Sequence, residues 1–321
     1  MAELFADLVG QPRAVALLTA ALERGRVAPA YLFTGPDGVG RRLAALRFLE
    51  GVLAGGPRVA PAIRRRLVQG NHPDLLRVEP TYSHQGQLVP LSEAQEQGVS
   101  RRSPPLVRLE QIREIGRFLA RRPVEADRGV VLLEGAELMA EPAANALLKT
   151  LEEPSGGLLV LLSAAPDRLL STIRSRCQPI PFARLGPGDL ERVLAGLEAS
   201  APAAAGPEPP ELRELAAGSP GALLAHRRHF QALPADLIER LLQLGPQPLE
   251  ALALARDLSE GLDGEQQLWL LDWWQIALWR RLRPLRPEPI RRLDRLRSQL
   301  LAFVQPRLAW EVALLDLAQA A

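Results

Sequence analysis

Two short stretches of this 321-residue chain carry residue types and spacings suited to a nucleotide phosphate. The first is TGPDGVGRRL, Thr34 to Leu43. A phosphate loop of the form GxxxxGK[ST] wraps a phosphate in backbone N–H groups at a helix N-terminus, sends its lysine to the β/γ-phosphates and binds magnesium through its hydroxyl. Gly35, Gly38 and Gly40 keep the glycine spacing, but Arg41 stands at the lysine position and Arg42 at the hydroxyl position. Arginine can pair with a phosphate but is not a neutral replacement for lysine, and Arg42 cannot ligate a metal. The stretch therefore reads either as a vestigial phosphate site or as a plain glycine turn between strand and helix, and a hydrolytic site is disfavoured.

The second stretch is VVLLEGAELM, Val130 to Met139. A strand beside a phosphate loop delivers an acidic pair, one acid to hold magnesium and one to polarise the attacking water. Glu134 takes the place of the first acid and Gly135 that of the second. Glycine has no carboxylate and cannot be a base. Glu137, two residues on, is expected off this line of action.

Such residues need a frame, and the hydrophobic pattern supplies one. Residues 11 to 25 pattern as an amphipathic helix ending near Gly25, Ala30 to Thr34 as a strand, and Leu43 to Leu53 as a helix, so the glycine loop sits in a strand–turn–helix setting. Residues 81 to 106 are polar and suggest a long surface loop; Leu109 to Ala120 has helical periodicity. Val130 to Leu133 and Leu158 to Leu162 are short apolar runs of buried-strand type. Between them, Ala144, Leu147, Leu148 and Leu151 recur at helical spacing within a helix over Glu141 to Glu153, closed by Pro154. Alternating strands and helices predict an α/β domain with a mainly parallel sheet.

After Phe182 the pattern turns helical. Asp189 to Leu197 is a helix that Asp189 or the preceding turn could cap. SAPAAAGPEPPE, at 200 to 211, is a loop too short to link independent domains. AAGSPGALLAHRRHF opens another helix, and from Asp236 onward about five helices are expected, broken at Gly245-Pro246, Gly261, Pro284 to Pro289 and Pro306. The expected division is an α/β core over 1–182, a small helical lid over 183–233 and an all-helical domain over 234–321. In LWLLDWWQIALWRRL, residues Leu270, Trp273 or Trp274, Ala277 and Leu278 form an apolar face suited to core or to a packing seam. The basic runs at 63–67, Arg101-Arg102 and 280–297 suit solvated faces better than nucleic acid.

Hydrophobic residues make up 47% and charged residues 24% of the chain, ordinary values for a globular protein. No apolar run reaches the length of a membrane span, and MAELFADLVG lacks the basic and apolar segments of a signal peptide, so no membrane partner and a bacterial cytoplasmic location are expected. One cysteine excludes an intrachain disulfide or a cysteine-based zinc site within this sequence. The net charge of +2 is weak support for nucleic acid. Lys149 is the single lysine, which points to a codon preference for arginine and leaves Arg41 alone ambiguous.

NALLKTLEEPSGGLLVLLSAAPDRLLSTIRSRCQPIPF, Asn145 to Phe182, resembles the clamp-loader branch of the AAA+ ATPases, and within it the delta-prime family. FADLVGQPRAVALLTAAL near the start and GNHPDLLRVEP at 70 to 80 extend the resemblance over about the first 180 residues. The resemblance implies an AAA+ core, a helical lid and an all-α collar that assembles with other subunits. The gamma/tau members keep the lysine and the acidic pair that this chain has lost. They also carry a four-cysteine zinc module, as do many delta-prime members; residues 51 to 75 here have no cysteine, so no zinc is expected. In the family the arginine of the SRC motif enters the ATP site of a neighbouring subunit, and here that residue is Arg176. Its neighbours Ser175 and Cys177 are expected in a local turn bond and in the core, and Arg174 in a surface ion pair. Gly221 stands near the position of a nucleotide-sensing arginine, with no arginine until Arg227. The implied function is a non-catalytic subunit of the DNA polymerase III clamp loader, partnered by gamma/tau and delta and acting through the complex on the sliding clamp and primed DNA. No cofactor is required, and ATP or ADP would bind weakly at most. The alternative is an active AAA+ ATPase of replication or repair with a non-standard site. Lys149 could pair with Glu152 or Glu153 on its helix.

Overall fold

The computed structural model describes residues 3–84, 86–94, 96–97, 99, 104–153, 156–198, 208–281, 287–302 and 304–320. The chain forms two compact units, 1–200 and 201–321. The first contains strands β1 (Ala30–Thr34), β2 (Leu75–Val78), β3 (Thr81–His84), β4 (Gln87–Pro90), β5 (Val130–Leu133), β6 (Leu158–Ser163) and β7 (Gln178–Pro181). Its helices are α1 (Pro12–Glu23), α2 (Arg41–Leu53), α3 (Pro61–Gln69), α4 (Leu109–Leu119), α5 (Glu141–Glu152), α6 (Ser171–Arg174) and α7 (Pro187–Glu198).

Five strands form a parallel sheet in the order β2-β5-β6-β1-β7. Strands β1, β5 and β6 are nearly continuous apolar runs because helices cover both faces of the sheet. Side chains alternate across the sheet. Leu32 faces a core shared with Ile112 and Ile115 of α4, Leu147 of α5, and Leu133 and Leu161. Tyr31 and Phe33 point the other way and meet Phe48 of α2, with ring centroids 4.9 and 6.4 Å apart. Strand β1 lies between β6 and β7, yet the chain leaves it for the far edge at β2. The carboxyl end of β1 is thus a switch point, the place where open α/β sheets offer a crevice.

Several elements differ from the sequence expectation. The segment at 81–106 is not simply a surface loop: β3 and β4 pair antiparallel, and Tyr82, Val89, Ala94 and Val99 bury into a small core of their own. Of the residues in the two strands only Tyr82 and Val89 join that core, so the hairpin's polar composition hid it. The basic run at 63–67 lies on α3 and is not a solvated face throughout. Arg64 donates to the fully buried carboxylate of Glu50 at 2.7 Å, and Arg66 grips Glu125 through two bonds. Helix α7 begins at Pro187, so Asp189 lies inside its first turn, paired with Arg192, rather than at its cap. Arg101-Arg102 and Pro154 lie outside the described residues, as does most of the Pro/Ala loop at 200–211.

The second unit is helical throughout its described residues: α8 (Pro210–Ala216), α9 (Pro220–Ala232), α10 (Ala235–Leu242), α11 (Pro248–Gly261), α12 (Gly264–Arg281), α13 (Pro287–Leu301) and α14 (Pro306–Ala320). Ser219 caps α9, its hydroxyl accepting the Ala222 N–H at 3.2 Å, and Pro220 follows in the first turn, where its missing N–H costs nothing. Trp273, Trp274 and Trp310 are buried, and Trp310 donates to Gln267 at 2.9 Å. The segment expected as a lid, 183–233, spans the boundary: α7 belongs to the first unit, α8 and α9 to the second. No helix among the described residues is long and apolar enough to cross a membrane.

Candidate functional site

The glycine loop follows β1 directly and ends where α2 begins. Its three glycines adopt positive φ: Gly35 at 148°, Gly38 at 75° and Gly40 at 101°. Two are also confined by close neighbours. A Cβ on Gly35 would lie 2.4 Å from the Phe182 carbonyl oxygen, and one on Gly40 would lie 2.8 Å from Leu8 Cδ1. The turn therefore demands glycine for its own conformation, whether or not a phosphate is held.

The charged groups of the loop are engaged within the chain. Arg41 is buried, and its guanidinium pairs with the Asp37 carboxylate, four residues back in the loop. An anion of the chain thus meets the cation that stands in for the phosphate-binding lysine. Arg42 reaches Glu134 at the end of β5, Nε to Oε1 3.4 Å. Arg77 of β2 approaches the same oxygen at 3.3 Å.

Glu134 thus accepts a bond from Arg77 and pairs in charge with Arg42, where a magnesium ion would need a free carboxylate. A divalent cation asks for oxygen ligands in near-octahedral array; this position offers an arginine in place of the hydroxyl and a carboxylate already neutralised. The residues do not fit magnesium. Gly135 adopts φ 61°, and a Cβ there would lie 2.8 Å from Pro80 Cγ. A side chain at the second acid position would strain the backbone and strike that proline. Glu137 turns toward the end of β6, where its Oε1 accepts the Ala164 N–H at 2.9 Å, while its Oε2 is buried without a hydrogen-bond partner.

The SRC triplet lies between α6 and β7. Arg176 is exposed; it donates to the main-chain oxygen of Thr172 at 3.0 Å and to Glu152 of α5 at 2.8 Å. Ser175 donates to the same Thr172 oxygen at 3.1 Å, and Arg174 pairs with Asp167 at 2.8 Å. Cys177 is buried, and burial pushes its thiol pKa up to about 11, which leaves it unreactive at neutral pH. In the second unit, Arg227 lays its guanidinium on Glu208 at 2.7 and 3.0 Å. That contact, with a second from Arg213, holds the Glu208 carboxyl below the usual carboxylate range.

Three participants escaped the sequence reading. Asp37 sits inside the glycine loop, four residues before Arg41. Arg77 is brought to Glu134 only by the pairing of β2 with β5. Glu152, one of two acids that Lys149 could reach along the helix, meets Arg176, while Lys149 is exposed. The first could have been found from the spacing of Asp37 and Arg41. The other two contacts span 57 and 24 residues and leave no local signal.

Family comparisons agree along most of the chain. The family described as DNA polymerase III, delta subunit, matches residues 10–186. The C-terminal domain of cyanobacterial DNA polymerase III delta prime matches residues 188–317. The DNA polymerase III subunit delta′ of Pseudomonas aeruginosa is 35% identical over 263 residues, 78% of this chain and 71% of that protein. That of Bacillus subtilis is 34% identical over 186 residues, 56% of this chain and half of that protein's length. Among solved structures, a DNA polymerase III gamma-subunit-related protein from Thermotoga maritima superposes with a TM-score of 0.55, covering 96% of this chain and 99% of its own at 17% identity. That last similarity is one of fold alone.

Proposed function

This chain belongs to the DNA polymerase III delta-prime family, and on that premise we propose that it serves the clamp loader as a non-catalytic AAA+ subunit. It hydrolyses no ATP itself and offers Arg176 to ATP held by a neighbouring gamma/tau subunit. Its partners are gamma/tau and delta, and through the complex it acts on the sliding clamp and primed DNA. The observation that carries the proposal is the double clasp on Glu134: Arg42 and Arg77 stand within 3.4 Å of the carboxylate that an active site would reserve for magnesium. The Asp37–Arg41 pair and the confined Gly135 support it from two other sides.

Arg176 suits the trans role by chemistry and exposure. A planar, permanently charged guanidinium with five donors can meet developing charge on the γ-phosphoryl group of ATP, and such arginines supplied in trans raise phosphoryl-transfer rates by about 10³- to 10⁵-fold in other nucleotide hydrolases. Nucleotide on this chain's own loop would be held by backbone N–H groups alone, close to the Asp37 carboxylate, so any ATP or ADP binding is weak and needs no magnesium. The rival, an active ATPase, requires tight magnesium-dependent binding. Titration of the isolated chain with fluorescent ATP, with and without magnesium, separates the two. The proposal expects no magnesium-dependent gain in affinity and no hydrolysis above background; turnover by the isolated chain would overturn it.

A further inference from the structure

Arg176 is held from within its own chain by two acceptors on different elements. Thr172 lies on α6, and its main-chain oxygen takes one N–H at 3.0 Å. Glu152, the last residue of α5, takes another at 2.8 Å. Two acceptors from two elements fix the direction of a side chain as well as neutralise it. A guanidinium has five N–H groups in a fixed planar fork, so three remain for an acceptor outside the chain. The pair is open to solvent, with the Arg176 side chain 36% exposed and that of Glu152 51%. Exposed ion pairs bind weakly, so the contact can aim the cation without withdrawing it. A long exposed side chain otherwise loses rotamer freedom at the moment it must act. Glu152 lessens that loss in advance.

We propose that Glu152 is a positioning residue for Arg176. Together with the Thr172 oxygen it pre-aims the guanidinium toward the neighbour's γ-phosphoryl group and stays bonded to it while the remaining N–H groups meet the phosphate. This rests on the trans role of Arg176 proposed above. The test is DNA-stimulated ATP hydrolysis by the complex reconstituted from this chain with gamma/tau and delta, measured against ATP concentration, with assembly verified by size-exclusion chromatography. Glu152→Ala lowers the kcat that this chain adds by about two- to fivefold, the range of a weak exposed pair, and moves the KM for ATP by less than about twofold. Glu152→Gln keeps an acceptor oxygen and recovers at least about half of the loss. In an Arg176→Ala background, Glu152→Ala changes nothing further. A rise in kcat or a fall in KM with Glu152→Ala would mean that Glu152 competes with the phosphate, and would overturn the proposal. So would a loss that persists without Arg176 or that Gln does not recover. An unchanged rate with Arg176→Ala alone is a different result, and refutes the trans role itself.

Discussion

Replacing Glu50 with alanine should unfold the α/β unit at a much lower temperature, and the size of the effect follows from its contacts. Glu50 is completely buried near the end of α2. Its carboxylate accepts Arg64 Nε at 2.7 Å and the Ala60 N–H at 2.7 Å, and Arg47 lies 3.8 Å away. These bonds pin α3 and the turn before it to α2, the helix that carries the glycine loop. Breaking one side of a buried ion pair costs about 3–5 kcal/mol. The lower end applies, because Arg47 keeps Asp7 at 2.9 Å and Arg64 keeps the Leu4 oxygen at 3.3 Å. The stranded Ala60 N–H adds about 1 kcal/mol, for a total of about 4 kcal/mol. At about 2–4 °C per kcal/mol for a unit of this size, Tm falls by about 8–16 °C. Glu50→Gln retains one acceptor oxygen and should lose about half as much. Thermal unfolding followed by far-UV circular dichroism, with refolding checked on cooling, measures both variants. A Glu50→Ala melting point within about 2 °C of the parent, or a Gln variant as damaged as Ala, would show that Glu50 does not hold α3 to α2 in this way.

Three further outcomes are expected. Burial pushes the Asp74 carboxyl up, but bonds from the Val124, Glu125 and Ala126 N–H groups outweigh it and leave the pKa below its ordinary value of 3.8. A depressed carboxyl stabilises the fold above its unfolded pKa and loses that contribution as pH falls through the folded value. Asp74→Asn should therefore cost about 2 kcal/mol at neutral pH in urea unfolding, with the gap to the parent narrowing below about pH 4; a gap independent of pH contradicts this. Gly35→Ala forces a side chain against the Phe182 carbonyl at positive φ and should cost about 2 kcal/mol or more, seen as a lower urea midpoint at unchanged slope. Cys177, with its thiol pushed up to about 11, should react with iodoacetamide at pH 8 at least about tenfold more slowly in the folded protein than in urea.

Much of the frame was legible because its signals are local. Strands β1 and β5 are short apolar runs bounded by turn residues, and their limits match expectation residue for residue. Three breaks in the C-terminal half also fall where expected: Gly245-Pro246 lies between α10 and α11, Gly261 ends α11, and Pro306 starts α14. Strands β2 and β7 went unforeseen. LLRV carries an arginine, and QPIP carries two prolines that only an edge strand tolerates. The site divides in the same way. The glycine positions and the missing acid at Gly135 stand in the sequence itself. That Arg42 and Arg77 converge on Glu134, and that Glu152 holds Arg176, depends on which strands and helices become neighbours, and no spacing along the chain encodes it.

The central claim is that this chain holds no working ATP site but completes one on its neighbour. The most direct measurement is steady-state ATP hydrolysis by the reconstituted complex on primed DNA with the sliding clamp, comparing the parent chain with Arg176→Ala and with no added chain. The parent should raise hydrolysis, Arg176→Ala should assemble normally but give little of that rise, and the isolated chain should be silent. Full stimulation by the Arg176→Ala complex would contradict it.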